Sequence, residues 1–107
     1  MVLKVFDNKW LVFIHCLLWE LKEVDEWDFH RIIYKLNKEG IIPINSWVWF
    51  GNSPRSAEVD AAIGLFSLYR IIELDGEKIR VIKSPRKCSL DDHVLDIARS
   101  VLKEKTS

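Results

Sequence analysis

The dipeptide Asp75-Gly76 is the feature that most restricts the fold of this chain. It separates two short segments rich in β-branched residues, at about 71–74 and 77–83. A two-residue loop of this composition favours a type I′ turn, which needs positive φ at both central residues. We therefore predict a β-hairpin here. The residues predicted to face inward are Ile72, Leu74, Ile79 and Val81.

Four other segments have the apolar spacing of helices. They cover about 8–22 (capped by Asp7 or Asn8), 25–40 (capped by Asp25 and ended by Gly40), from Ser53 or Ser56 to about Arg70, and about 90–104 (capped by Ser89). An aromatic segment at 44–50 is predicted to be a strand, followed by turn residues at 51–54.

The first predicted helix is apolar around almost its whole circumference, with ten apolar residues between Trp10 and Leu21. Such a helix must be covered on all sides, and a small domain rarely surrounds its own terminal helix. We therefore expect a homodimer in which the terminal helices, about 8–22 and 90–104, bury one another. The run is shorter than the roughly 20 residues that span a bilayer. It also lacks a small-residue cleavage site, so we expect a cytoplasmic protein with no membrane partner.

Length and composition indicate one domain, spanning 1–107. The chain has 16 basic and 16 acidic side chains, and the segment 50–90 is mildly basic, with seven basic and five acidic residues. Neutral total charge gives little general attraction to nucleic acid. The chain has no Gln and many Lys, Glu and Ile residues, a composition seen in proteins from hot environments.

The stretch from Ser56 to Val81 resembles the third helix and wing of winged helix-turn-helix proteins. In that family a Gly-Leu-Ile-Glu type junction ends the helix, and here Arg70-Ile71-Ile72-Glu73 stands at that place, without the glycine. The likeness spans 25–83 and is strongest over 56–83. It implies an α+β, winged-helix-like domain with a core at 25–83, and double-stranded DNA as the partner.

The chain departs from this family between Pro43 and the third helix. The family joins two helices by a short turn ahead of the wing, whereas this chain has the aromatic segment 44–50. Either that segment is helical, or the helix-turn-helix is degenerate. The same segment, followed by Gly51, Pro54 and Ser56, also resembles antitoxin-associated Panacea domains.

Basic residues cluster on the predicted wing and beside the start of the third helix, whose N-terminus attracts phosphate. The predicted phosphate contacts are Arg55, Ser56, Lys78, Arg80, Lys83, Arg86 and Lys87. The alternative is a solvated hairpin with the lysines usual on edge strands. Trp47 and Trp49 could stack on bases, but no basic residue interleaves them, so we expect both in the core.

No catalytic or metal-binding motif is present in the sequence. Cys16 and Cys88 lack a CxxC partner and are expected to be reduced, with a disulfide as the open alternative. No His or Cys pair has zinc spacing, and no Walker loop, dinucleotide fingerprint or nucleophile elbow occurs. Acidic pairs at 25–28 and 91–92 fall at predicted helix starts, where capping explains them. We expect no enzymatic activity, no metal and no cofactor.

Two functions remain. The leading interpretation is a DNA-binding winged helix, a small homodimeric transcriptional regulator. The alternative is a protein-interaction module on the same fold. The wing favours DNA, but the predicted outward face of the third helix lacks the Arg, Lys, Asn and Gln that read bases. That face consists of Ala57, Asp60, Ala61, Gly64, Ser67 and Leu68.

Overall fold

The computed structural model describes residues 9–106, which form a compact α+β fold of four helices and two small antiparallel sheets. The elements are α1 (Lys9–Leu21), β1 (Glu23–Asp25), α2 (Glu26–Lys38), β2 (Trp47–Phe50), β3 (Ser53–Ser56), α3 (Ala57–Leu68), β4 (Ile72–Asp75), β5 (Lys78–Val81) and α4 (Asp92–Thr106). The predicted first-helix caps, Asp7 and Asn8, lie outside the described residues. Helix α4 begins at Asp92, slightly later than predicted.

The predicted hairpin is confirmed as β4 and β5, but its turn differs from the prediction. Asp75 pairs with Lys78, so the central turn residues are Gly76 and Glu77. Gly76 has a φ of 62° and Glu77 does not have a positive φ. This is the pattern of a type II′ turn, which needs glycine only at its first central position.

One predicted inward residue of the hairpin is wrong. Ile72 and Ile79 are buried and Val81 is half-buried, but Leu74 is 40% exposed. One residue separates Leu74 from the turn, and this end of the hairpin extends beyond the core. Strand β1, which the sequence did not predict, pairs with β5 and completes a sheet of order β1-β5-β4.

Residues 47–50 of the aromatic segment form a strand and 44–46 are irregular, so the helical alternative for 44–50 is wrong. It forms a second hairpin, β2–β3, between α2 and α3. Asp25 caps α2 by accepting hydrogen bonds from the backbone N–H groups of Trp27 and Asp28. The Ser56 hydroxyl caps α3 by accepting from the N–H of Val59 at 3.3 Å. The predicted cap of α2 is therefore confirmed, and of the two candidates for α3 it is Ser56, not Ser53, that caps the helix. The predicted Ser89 cap is not adjacent to α4, which begins at Asp92.

Helix α1 is covered within the chain more completely than its apolar pattern suggested. Leu17 is fully buried and Trp10 packs half-buried against the core. The segment after β5 returns across α1, where the Nε2–H group of His15 donates to the Lys83 carbonyl at 2.8 Å. A dimer through the terminal helices stays a prediction, but its stated reason, an uncovered α1, is weaker than expected.

Cys16 and Cys88 form a disulfide with a Cα–Cα distance of 5.6 Å. The expected reduced pair is therefore wrong, and the open alternative holds. The bond joins α1 to the segment that precedes α4. No helix within residues 9–106 is long and apolar enough to cross a membrane.

Candidate functional site

Arg55 is held by two carboxylates instead of being presented at the surface. Its Nε and Nη2 atoms donate to Asp60 at 3.0 Å and 2.8 Å, and Nη2 also donates to Glu26. The guanidinium lies 4.6 Å from the centre of the Trp27 ring. The hydrogen bond to Asp60 and then that to Glu26 raise the pKa of Arg55. A predicted phosphate contact is thus neutralised within the chain.

The same cluster contains a fully buried imidazole, His30. Its Nδ1 atom accepts the backbone N–H of Ser56 at 3.1 Å, and its Nε2 atom lies 3.1 Å from Oδ1 of Asp60. An Nδ1 that accepts cannot carry a proton, so Nε2 is the donor and the ring is neutral. Burial lowers the pKa of His30, although the Asp60 carboxylate opposes it. Burial alone would raise the pKa of Asp60, but hydrogen bonds from Arg55 and His30 keep it below its ordinary value.

Ser56 has no surface to offer a phosphate in this conformation. It is fully buried, its hydroxyl caps α3, and the same oxygen lies 2.9 Å from the Ser46 hydroxyl.

Lys78 and Arg80, on the β4–β5 hairpin, are exposed but paired. Both contact Glu23, at 3.4 Å and 3.1 Å, and Arg80 also contacts Glu73 at 3.2 Å. Hydrogen bonds from Arg80 and then Lys78 lower the pKa of the Glu23 carboxyl, and the hydrogen bond to Glu23 raises the pKa of Arg80. Strand β1, absent from the sequence prediction, therefore supplies a carboxylate to both cations.

The three-stranded sheet and its turn carry net negative charge. The carboxylates are Glu23, Asp25, Glu73, Asp75 and Glu77, and the cations are Lys78 and Arg80. Helix α3 has two acidic residues in its first turn and no basic residue in its last. These elements thus carry more carboxylates than cations, which weakens the attraction of phosphates to them.

The outer face of α3 is apolar and small. Ala57, Ala61 and Gly64 are exposed, and Leu68 is 76% exposed. None of these side chains can donate a hydrogen bond to a base edge. Arg, Lys, Asn and Gln, the residues that usually read bases, do not occur on this face of α3.

The remaining predicted phosphate contacts lie on the segment that follows the β4–β5 hairpin. Lys83, Arg86 and Lys87 are exposed on the segment that crosses α1. Lys83 donates weakly to the Tyr69 carbonyl, at 3.5 Å. Across the described part of the chain none of the three forms an ion pair with a carboxylate. The structure thus separates the seven predicted residues into three groups: Arg55 and Ser56, which are bonded within the fold, the ion-paired Lys78 and Arg80, and an exposed cluster of Lys83, Arg86 and Lys87 without ion pairs.

The β2–β3 hairpin presents aromatic surface that sequence reasoning assigned to the core. Trp47 is half-buried as expected, but Trp49 is 51% exposed, so its core assignment is wrong. Val48 and Phe50 are 58% and 57% exposed. The hairpin rests on α2 through edge-to-face ring contacts, in which Tyr34 meets Trp47 and Trp49 at 5.1 Å and 5.0 Å. The absence of charge over 44–50 was the signal that could have identified this surface.

No group of three or more His, Cys, Asp and Glu side chains is arranged to hold a metal ion among residues 9–106. The cluster of Arg55, Asp60 and His30 directs its hydrogen bonds to its own members, to Glu26 and to the backbone of Ser56. No protein-family model, curated protein or solved structure matches this chain.

Proposed function

We propose that this chain is a winged-helix-like protein-interaction module that associates through its aromatic β2–β3 hairpin, with a second copy of itself as the partner. The observation that carries this proposal is the exposure of three consecutive apolar residues of one strand, Val48, Trp49 and Phe50, each more than half exposed. Apolar groups clustered in this way on a small protein mark contact surfaces.

Strand β2 also has a free edge. Within residues 9–106 it pairs only with β3. Trp49 stands opposite Pro54, which has no N–H to donate. Trp49 therefore occupies a non-hydrogen-bonded pair, and its own N–H and C=O point away from β3. An exposed edge of this kind is a template for pairing with another strand.

A second copy fits this edge because the strand is self-complementary. Two β2 strands related by a two-fold axis would pair antiparallel and form a four-stranded sheet. Residues 44–50 contain no charged side chain, so like charges do not oppose one another across the axis. The lysines and prolines that usually protect an edge are missing from β2 itself.

Size-exclusion chromatography with light scattering tests the proposal. At tens of micromolar the wild type is expected at twice the 12.6 kDa of one chain. Val48→Lys places two like charges near the axis and is expected to give a monomer. Leu74→Lys, a matched change at an exposed strand position of the other sheet, is expected to stay dimeric. A monomeric wild type, or a dimeric Val48→Lys, would refute the proposal. The second result would point to the terminal helices instead.

Binding to double-stranded DNA, as a small regulator of transcription, is the second candidate. The free cluster of Lys83, Arg86 and Lys87 favours it, together with a hairpin that directly follows α3 as a wing would. Titration of a DNA duplex at several salt concentrations tests it. DNA binding predicts a log–log slope of about −0.9 for each phosphate contacted. No binding at about 50 mM salt would exclude the DNA interpretation, since phosphate contacts are strongest there.

A further inference from the structure

A groove of about 480 Å³ lies between α1, the end of α3 and the segment after β5. Its inner wall is apolar: Leu11, Phe66 and Ile71 are almost fully buried, and Val12 is half-buried. The His15 ring stands beside Phe66, with 5.5 Å between ring centres. The volume falls in the range of about 300–1,000 Å³ typical of small-molecule sites.

The rim of this groove is basic. Lys83, Arg86 and Lys87 line one side, and no Asp or Glu is among the described residues that line it. None of these three cations pairs with a carboxylate in the described chain. The groove therefore combines unpaired positive charge with an apolar wall.

We propose that this groove binds a small amphiphilic anion, a carboxylate with an apolar chain or ring. The carboxylate lies against Arg86 and Lys87, and the apolar body packs on Phe66 and Leu11. An arginine beside a lysine suits a carboxylate, because the guanidinium can hold both oxygens at once. The site is separate from the β2–β3 hairpin, so it does not depend on the proposed self-association.

Segment 83–87 is held in place to form the outer wall. The His15 side chain binds the Lys83 carbonyl at 2.8 Å, and the disulfide between Cys16 and Cys88 fixes the other end of the segment to α1. Both anchors belong to α1, which also supplies part of the inner wall. The groove is therefore fixed at both ends of its basic segment before a ligand arrives, which lowers the ordering cost of binding.

Titration of the oxidised full-length protein with decanoate, followed by ¹⁵N–¹H NMR, tests this proposal. Saturable shifts are expected at Leu11, Val12 and Phe66. Shortening the ligand to octanoate is expected to weaken binding about tenfold, because each buried methylene contributes to transfer from water. Decan-1-ol, which has the chain without the charge, is expected to bind about tenfold more weakly or worse.

The double variant Arg86→Gln, Lys87→Gln is expected to weaken decanoate binding at least about tenfold. The matched control Lys35→Gln, Arg99→Gln removes the same charge from exposed positions that do not line the groove. It is expected to bind as the wild type does. The proposal is overturned if decanoate causes no saturable shifts, if the shifts map to residues 47–50, or if both double variants bind equally well. It is also overturned if duplex DNA, and not decanoate, binds through Arg86 and Lys87.

Discussion

The buried His30 ring faces the half-exposed Asp60, with Nε2 of the imidazole 3.1 Å from Oδ1 of the carboxylate. The other ring nitrogen accepts the backbone N–H of Ser56. This arrangement connects α2 to the start of α3 and requires a neutral imidazole, because a proton on Nδ1 would face the N–H of Ser56. Asp60 in turn binds Arg55.

The neutral His30 makes stability depend on pH. Burial lowers the pKa of His30 below its ordinary 6.5, so the unfolded chain binds a proton more readily than the folded one. Stability is therefore complete above about pH 7 and falls as pH drops below the unfolded value toward the folded pKa. Denaturant unfolding between about pH 8 and pH 5 should show this loss. It should persist in His93→Gln, a change in an exposed ring. Equal stability of the wild type at pH 7 and pH 5 would contradict the neutral assignment.

Arg55 stabilises the fold in its contacts with Glu26 and Asp60. Arg55→Ala leaves two carboxylates without their cation and should lower the free energy of unfolding by about 2 kcal/mol, less than a fully buried pair because Arg55 is partly exposed. Arg31 is the matched control, since it contacts two carboxylates at 3.5–3.8 Å nearer the surface. Arg31→Ala should cost less than about 1 kcal/mol. Urea unfolding of both variants measures the difference. Equal losses of free energy of unfolding in the two variants would contradict a larger stabilising role for Arg55.

Arg70 stands where the winged-helix junction has glycine, and its backbone is left-handed, with a φ of 58°. The N–H groups of Arg70 and Ile71 bind the carbonyls of Ser67 and Phe66, as in a Schellman end. Glycine adopts this φ without strain, so Arg70→Gly should raise the free energy of unfolding by about 0.5–1 kcal/mol. Arg70→Ala removes the same side chain without relieving the backbone and should give no gain. Thermal unfolding that ranks alanine equal to glycine would contradict this.

The disulfide closes a long loop, because Cys16 and Cys88 are 72 residues apart. Its reduction should lower the free energy of unfolding by about 4 kcal/mol through the entropy of the unfolded chain. Urea unfolding with and without a dithiol measures this, and Cys88→Ala should not respond to the dithiol. Two free thiols in protein purified without reductant would contradict the bond.

Local patterns were sufficient to predict the helices, the caps at Asp25 and Ser56, and the β4–β5 hairpin. They were insufficient where the outcome depended on distant residues. Strand β1 is three residues long and exists because it pairs with β5, 55 positions away. For the same reason α1, which looked uncovered, is covered by the segment that carries Lys83.

The surroundings of the candidate phosphate contacts also depend on distant residues. The position of Arg55 beside a helix start suggested a phosphate, but Glu26 lies 29 residues away in sequence and binds it. Likewise Glu23, 57 residues before Arg80 in the sequence, forms ion pairs with Lys78 and Arg80 on the β4–β5 hairpin. The free edge of β2 could be suspected from its uncharged sequence, but its exposure depends on how the hairpin rests against Tyr34.

Amide hydrogen exchange at Trp49 tests the central claim, that copies of this chain pair through β2, most directly. The Trp49 N–H points away from β3 and has no backbone acceptor among residues 9–106 of its own chain. We predict that its protection rises between about 1 µM and 100 µM protein in the wild type, and does not change in Val48→Lys. Fast exchange of this amide at every concentration, or equal protection in Val48→Lys, would contradict the account.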